Sequence, residues 1–211
     1  MSGAALRGVS ALMLMLRYRD PETYGHSMRV AALSRKLVKR AKLSPEQQEC
    51  AWLAGMLHDI GKIAVPEKIL FKPSPLDESE WRVMRTHAEK GAKLVSFFPF
   101  LRTVAEAVAS HHEFFDGKGY PRGLSGLNIP IAARIVAVAD AYDAMVLPRL
   151  YSSPLTRADA MGELLRCAGT QFDPLVVEWL VQCVSAAKKD EKERNSAGKS
   201  ALDRDGAAKP A

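Results

Sequence analysis

All five histidines of this chain, His26, His58, His87, His111 and His112, fall in the first 112 of its 211 residues, and residues 113–211 contain none. Histidine is the commonest metal ligand and the usual proton shuttle near neutral pH. Scattered surface histidines would not be confined to one half of a chain. Their clustering predicts that the fold brings distant segments together around one polynuclear metal site.

The rest of the pattern is helical almost throughout. Asp20-Pro21 reads as an N-cap followed by a first-turn proline. Ser44 with Gln47, and Asp77 with Glu80, have capping-box spacing. Trp81, Met84 and Ala88 continue the second of these with helical period. Thr156 with Asp159, and Asp173-Pro174, open the last two helices. Strand signals are weak: residues 131–139 are apolar enough for a buried strand, but their alanines favour a buried helix. The expected fold class is therefore all-α, a bundle of about seven to nine helices with no substantial sheet.

A length of 211 residues predicts one domain. Residues 1–19 read as an N-terminal helix packing on the core or on a partner, residues 20–187 as the main domain. Residues 188–211 form a charged tail rich in Ala, Ser and Gly, too poor in apolar surface to order itself. Pro and Gly concentrate in 64–76 and 113–130, which read as long loops. The apolar run from Val9 to Leu16 is far shorter than the roughly 20 residues of a membrane span, and its flanks do not resemble a signal peptide.

The net charge is +6 with an isoelectric point near 9.3, which favours an anionic partner. The basic residues are dispersed with no aromatic-interleaved patch, which argues against direct nucleic-acid binding. Cys50, Cys167 and Cys183 lie far apart with no CxxC spacing. They read as reduced thiols and core residues, and the expected location is cytoplasmic.

The chemistry concentrates in a few segments. His58-Asp59 reads as a pair inside a helix, offering an imidazole and a carboxylate to one point. A carboxylate has two oxygens, so Asp59 can bridge two ions while His58 binds one. Lys62, three and four residues later, shares that face, and its ammonium suits a phosphate oxygen better than a metal. Glu22 and His26 are four apart and share a face. His87 stands in the middle of the next periodic segment. His111-His112 ends an apolar helix before a Gly-rich loop. Asp140 and Asp143, three apart, also share a face.

Burying so many ionisable groups without a metal would be costly. Nitrogen and carboxylate donors without thiolate disfavour a structural zinc site and suit iron or manganese. Two ions roughly 3.5–4 Å apart would suit phosphoester hydrolysis, activating water and neutralising charge on phosphorus.

His58-Asp59 with the distant Asp140 resembles the HD superfamily of metal phosphohydrolases. The segment His111-His112-Glu113-Phe114-Phe115-Asp116-Gly117-Lys118-Gly119-Tyr120-Pro121 is more specific and resembles the HHExxDGxGYP signature of the HD-GYP family. The likeness spans roughly residues 14–185 and includes Tyr24-Gly25-His26, Lys72-Pro73, Ala139-Asp140-Ala141-Tyr142-Asp143 and Gly169-Thr170-Gln171-Phe172-Asp173-Pro174.

The resemblance implies an HD-superfamily helical bundle and cyclic di-GMP phosphodiesterase activity, giving pGpG and onward GMP. It implies His26, His58, Asp59, His87, His111, His112 and Asp140 as metal ligands, with Glu22 as the extra acid of three-metal members, hence a trinuclear centre of iron or manganese in preference to a dinuclear one. Lys62 and Asp143 match residues that act at the scissile phosphate. Arg149 matches a substrate-phosphate contact. Tyr120 and its loop match the GYP loop, which shapes the pocket and implies a GGDEF-type diguanylate cyclase as partner. The oligomeric state stays open on the sequence, with a homodimer through the N-terminal helix as one form it allows.

In Glu113-Asp116-Gly117 the residues read mainly as a turn, with Gly117 and Gly119 supplying positive φ. One segment departs from the family. Val146-Leu147-Pro148 stands where members carry Thr-Ser-Asp, and Ser152 replaces a basic residue, which makes the loop more apolar. The departure leaves open a second reading, a module that binds a cyclic dinucleotide or a diguanylate cyclase with little turnover.

Overall fold

The computed structural model describes residues 3–148 and 153–185. These residues fold into helices α1 (Gly3–Arg19), α2 (Pro21–Arg40), α3 (Pro45–Leu57), α4 (Glu67–Leu70), α5 (Glu78–Arg85), α6 (His87–Ser96), α7 (Arg102–Ser110), α8 (Ile131–Val146) and α9 (Arg157–Arg166), with α10 described over 174–185. Short 3-10 turns fall at Ile60–Ala64, Pro99–Leu101 and Gly126–Asn128. The described residues form no sheet; one isolated bridge pairs Ala168 with Phe172. The all-α expectation stands.

The helix starts follow the caps written in the sequence. Asp20 accepts the amide of Thr23 at 3.0 Å and so fixes the entry of α2. Ser44 and Gln47, then Asp77 and Glu80, form reciprocal capping boxes at α3 and α5. Each cap satisfies amides that the first turn cannot pair internally. Thr156 caps α9 through the amide of Asp159.

α2, α3 and α8 pack against one another, and α6 packs on α7. The core includes Val30, Leu37 and Val38 from α2, Leu53 and Leu57 from α3, and Ile135, Val136 and Val138 from α8. Burying such a side chain stabilises by about 1.5–3 kcal/mol each. The alanines of residues 131–139 serve a helix, because Ala132, Ala133 and Ala139 are buried where α8 must lie close to its neighbours.

α1 buries Val9, Leu12, Met13 and Leu16 on the domain, and leaves Leu14, Met15 and Tyr18 exposed. No described helix is long and apolar enough to cross a membrane. Arg149, Tyr151, Ser152 and the expected tail at 188–211 lie outside the described residues.

Candidate metal centre

His58 and Asp59 do not lie inside a helix as the sequence reading had it. α3 ends at Leu57, His58 is its C-cap, and Asp59 opens the 3-10 turn Ile60–Ala64. The tighter turn keeps both side chains inward, so the pair works at a helix end. His87 likewise is not mid-helix. α5 stops at Arg85, Thr86 forms the cap, and His87 begins α6. The periodic run is two helices broken at Thr86, and the break turns His87 into the bundle. His111 is the C-cap of α7, as the end of an apolar helix implied.

Three rings are oriented by the backbone. Nδ1 of His58 lies 2.9 Å from the carbonyl of Gly55, that of His87 2.8 Å from Met84 and that of His111 2.6 Å from Val108. A carbonyl only accepts, so each Nδ1 carries the proton and each Nε2 presents a lone pair. Those Nε2 atoms converge. His87 Nε2 lies 3.3 Å from His111 Nε2 and 3.2 Å from His112 Nε2. Two lone pairs at 3.3 Å cannot hydrogen-bond to each other. Nε2 of His58 is buried with no hydrogen-bond partner at all. Buried acceptors left without donors fit cations.

The donors form two groups, His87 with His111 and His112, and His26 with His58 and Asp140. Asp59, 3% exposed, lies between them. Its Oδ1 is 3.4 Å from His87 Nε2, and its Oδ2 is 3.3 Å from His58 Nε2. One carboxylate oxygen thus faces each group, the arrangement a bridging ligand requires. Lys62 Nζ holds Oδ2 at 2.7 Å. Burial alone would raise the Asp59 carboxyl, but Lys62 and the surrounding histidines hold it well below the usual carboxylate range.

Burial is the main cause that lowers His87, His111 and His112; repulsion from neighbouring histidines adds to it, and His112 falls to about 3. These rings stay neutral at physiological pH, the form that binds metals.

His26 is held differently. Its Nε2 faces Asp140 Oδ1 at 3.0 Å and its Nδ1 faces Asp143 Oδ2 at 2.8 Å. Arg29, one turn on, donates to both oxygens of Asp143 at 2.9 and 3.0 Å. The structure therefore places Asp143 behind the His26 ring. Arg29 carried no role in the sequence reading; its signal was the i, i+3 spacing from His26.

Glu22 is exposed on the cavity wall and belongs to neither donor group. Tyr120 stacks on His112 with ring centroids 4.8 Å apart. Burial, reinforced by Asp59 and Asp140 against the charge of Arg85, raises its phenol. In its loop, Gly117 has φ of +85° as expected, but Gly119 does not have positive φ. Gly119 is needed for close approach: a Cβ there would sit 2.1 Å from the amide nitrogen of Phe114. Glu113 accepts the amides of Arg122 and Leu124 and closes the same loop.

A cavity of about 470 Å³ opens over the cluster. Its floor includes His26, Asp59, Lys62, His87, His112 and Asp140. Its walls include residues without a role in the sequence reading, among them Phe71 and Met84, together with Leu147 and Pro148 from the departing segment. Spacing alone gave no signal for these apolar walls, because they are assembled by loop packing.

The helical bundle and the paired histidine and aspartate clusters define an HD-type metal centre. Residues 10–176 match the family model described as HD domain. The chain belongs to the HD domain family, in its HD-GYP branch. It is 40% identical over 186 residues to a probable cyclic di-GMP phosphodiesterase of Vibrio cholerae, covering 81% of this chain and 42% of the relative. It is 39% identical over 166 residues to the 3'3'-cGAMP-specific phosphodiesterase 2 of the same organism, covering 78% and 32%. The chain spans less than half the length of either relative. A solved structure of Bd1817, an HD-GYP-type protein from Bdellovibrio bacteriovorus, superposes with a TM-score of 0.62 at 21% identity, covering 76% of this chain and 51% of that one.

Proposed function

We propose that this domain is a metal-dependent phosphodiesterase that opens cyclic di-GMP to pGpG and onward to GMP. The observation that carries the reading is the Asp59 carboxylate, with one oxygen toward each of two converging donor groups. Relatives named as cyclic di-GMP phosphodiesterases support the substrate class.

His26, His58, Asp59, His87, His111, His112 and Asp140 would hold the ions, with Glu22 available to a third. Iron or manganese suits this nitrogen and oxygen set. When bound, such ions neutralise charge on the phosphoryl oxygens and lower the pKa of an attacking water. The protein's own groups set the geometry. Backbone carbonyls fix three imidazoles, so no reorganisation is needed at reaction. Asp143 and Arg29 fix His26. Lys62 puts an ammonium at the cavity floor beside Asp59, where it offsets charge on a phosphate oxygen. Each cleavage adds one water across one P–O bond and leaves a 5'-phosphate and a free 3'-hydroxyl; the first gives pGpG, and a second would give two GMP. The Tyr120 loop, lying over His112, would also offer a surface to a diguanylate cyclase.

The test is incubation of iron- or manganese-loaded protein with cyclic di-GMP. Release of pGpG or GMP is expected, and its loss in His58→Ala with Asp59→Ala, with helicity retained. Full activity in that double variant sinks the assignment; tight binding without product would favour the binding-module reading.

A further inference from the structure

The catalytic cavity has a neighbour. Trp81 of α5 lines the space over the histidines and also a second groove of about 380 Å³, whose other lining residues are Glu78, Arg82 and Arg85. One indole thus lines both spaces. Trp81 is 48% exposed, so part of its indole is open to a ligand. Helical period explains the grouping: Glu78, Trp81, Arg82 and Arg85 stand at i, i+3, i+4 and i+7 on one face of α5.

Arg85 is tied to the metal centre through aromatic rings. Its guanidinium lies 5.3 Å from the Tyr120 centroid, and Tyr120 stacks on His112. Neither Arg82 nor Arg85 forms an ion pair among the described residues.

A cyclic dinucleotide carries two phosphates and two bases. With one phosphate over the ions, the other nucleotide would extend beyond the floor, and the indole that lines both spaces marks one way out. The groove there mixes charges, with two guanidiniums and one carboxylate. The guanidiniums alone would also suit a phosphate, but a guanine base uses both signs. Its O6 and N7 are acceptors that match a guanidinium. Its N1–H and 2-amino group are donors that match a carboxylate, which only accepts. Adenine offers an amino donor where guanine has O6, and lacks the 2-amino group. An indole supplies the stacking face for either base.

We propose that Trp81, Arg82, Arg85 and Glu78 form the subsite for the distal guanosine of cyclic di-GMP, with Trp81 stacking on the base and the charged groups selecting guanine over adenine. The proposal rests on the cyclic-dinucleotide reading of the metal centre and adds its base specificity.

The test compares metal-loaded wild type, Trp81→Ala, Trp81→Phe and the triple change Glu78→Gln, Arg82→Gln, Arg85→Gln on cyclic di-GMP, cyclic di-AMP and the base-free diester bis(p-nitrophenyl) phosphate. Binding is followed by calorimetry alongside turnover. Trp81→Ala is expected to raise KM for cyclic di-GMP about tenfold or more, the scale of one lost base–aromatic stack, and Trp81→Phe to recover most of it. The triple change is expected to bring the ratio of kcat/KM for cyclic di-GMP over cyclic di-AMP toward one, a loss of about tenfold for a guanine-reading contact.

The proposal is overturned if that ratio survives the triple change, or if Trp81→Ala keeps the wild-type KM for cyclic di-GMP. If the wild type neither binds nor cleaves any cyclic dinucleotide, the reading of the metal centre itself falls and the subsite falls with it.

Discussion

Asp143 Oδ2 stands 2.8 Å from Nδ1 of His26, while the opposite ring nitrogen faces Asp140 at 3.0 Å. Two acids less than one turn apart on α8 therefore grip one imidazole of α2. Burial would lower His26, but hydrogen bonds to Asp140 and Asp143 outweigh it and raise the ring to about 9 in the absence of metal. With an ion held by Nε2, Asp143 would keep Nδ1–H and fix the tautomer.

Asp143→Asn tests that grip. The amide keeps the shape and loses the charge that Arg29 and His26 share. Changing such a supporting partner typically costs about 10–100-fold in metal affinity or activity. Metal retained against a competing chelator is expected to fall on that scale, with helicity unchanged. Retention equal to wild type would mean that Asp143 does not orient His26, and would return it to a direct role at the phosphate.

That histidines and aspartates would gather was legible from the crowding of all five histidines into the first 112 residues and from the motif resemblance, and the structure does bring His87, His111 and His112 together, and His26 with His58 and Asp140. The caps were legible because Asp20, Ser44, Asp77 and Thr156 act on amides three residues away, so local sequence decides. What sequence did not reveal was where helices stop. His58-Asp59 read as mid-helix because nothing local ends α3; the 3-10 turn follows from packing of Ile60 and Gly61 in the core. His87 was misplaced for the same reason, since the break at Thr86 has no Gly or Pro to announce it. The cavity wall at Phe71 and Trp81 depends on contacts between distant segments, which no local period encodes.

Gly119→Ala probes the loop beneath Tyr120. The added Cβ would sit 2.1 Å from Phe114 N and 2.5 Å from the His112 carbonyl oxygen, both backbone atoms that cannot swing aside. Overpacking of this kind typically costs about 1–3 kcal/mol. The melting temperature is expected to fall, and bound metal with it, because the strain is relieved only by moving the segment that carries His112. An unchanged melting temperature would show that the loop is loosely seated.

The pH dependence of the metal-free protein should be two-sided. His87, His111 and His112 are lowered from the ordinary value of 6.5, the last to about 3. As pH falls below 6.5 the unfolded chain takes up protons that the folded chain refuses, so stability is lost. Asp59 and Asp140, also lowered, add loss of the same sign at more acid pH. His26 works oppositely. Its raised value contributes stability that is complete below 6.5 and lost as pH rises toward 9. Chelator-treated protein is expected to melt highest near pH 6.5 and lower on both sides. A melting temperature climbing steadily from pH 6.5 to 9 would contradict the two-acid grip on His26.

Glu22→Gln addresses the number of ions. Glu22 stands one helical turn before His26 on α2, at the cavity wall, outside both three-residue donor groups. A third ion would need it, whereas ions held by the two three-residue donor groups would not. Its substitution is expected to reduce the metal content of anaerobically prepared protein from three ions per chain toward two, and to weaken turnover without abolishing it. The amide keeps the length of the side chain but is a far poorer donor to a cation than a carboxylate. A stoichiometry of two in wild type and variant alike would make the centre dinuclear and leave Glu22 a cavity-wall residue.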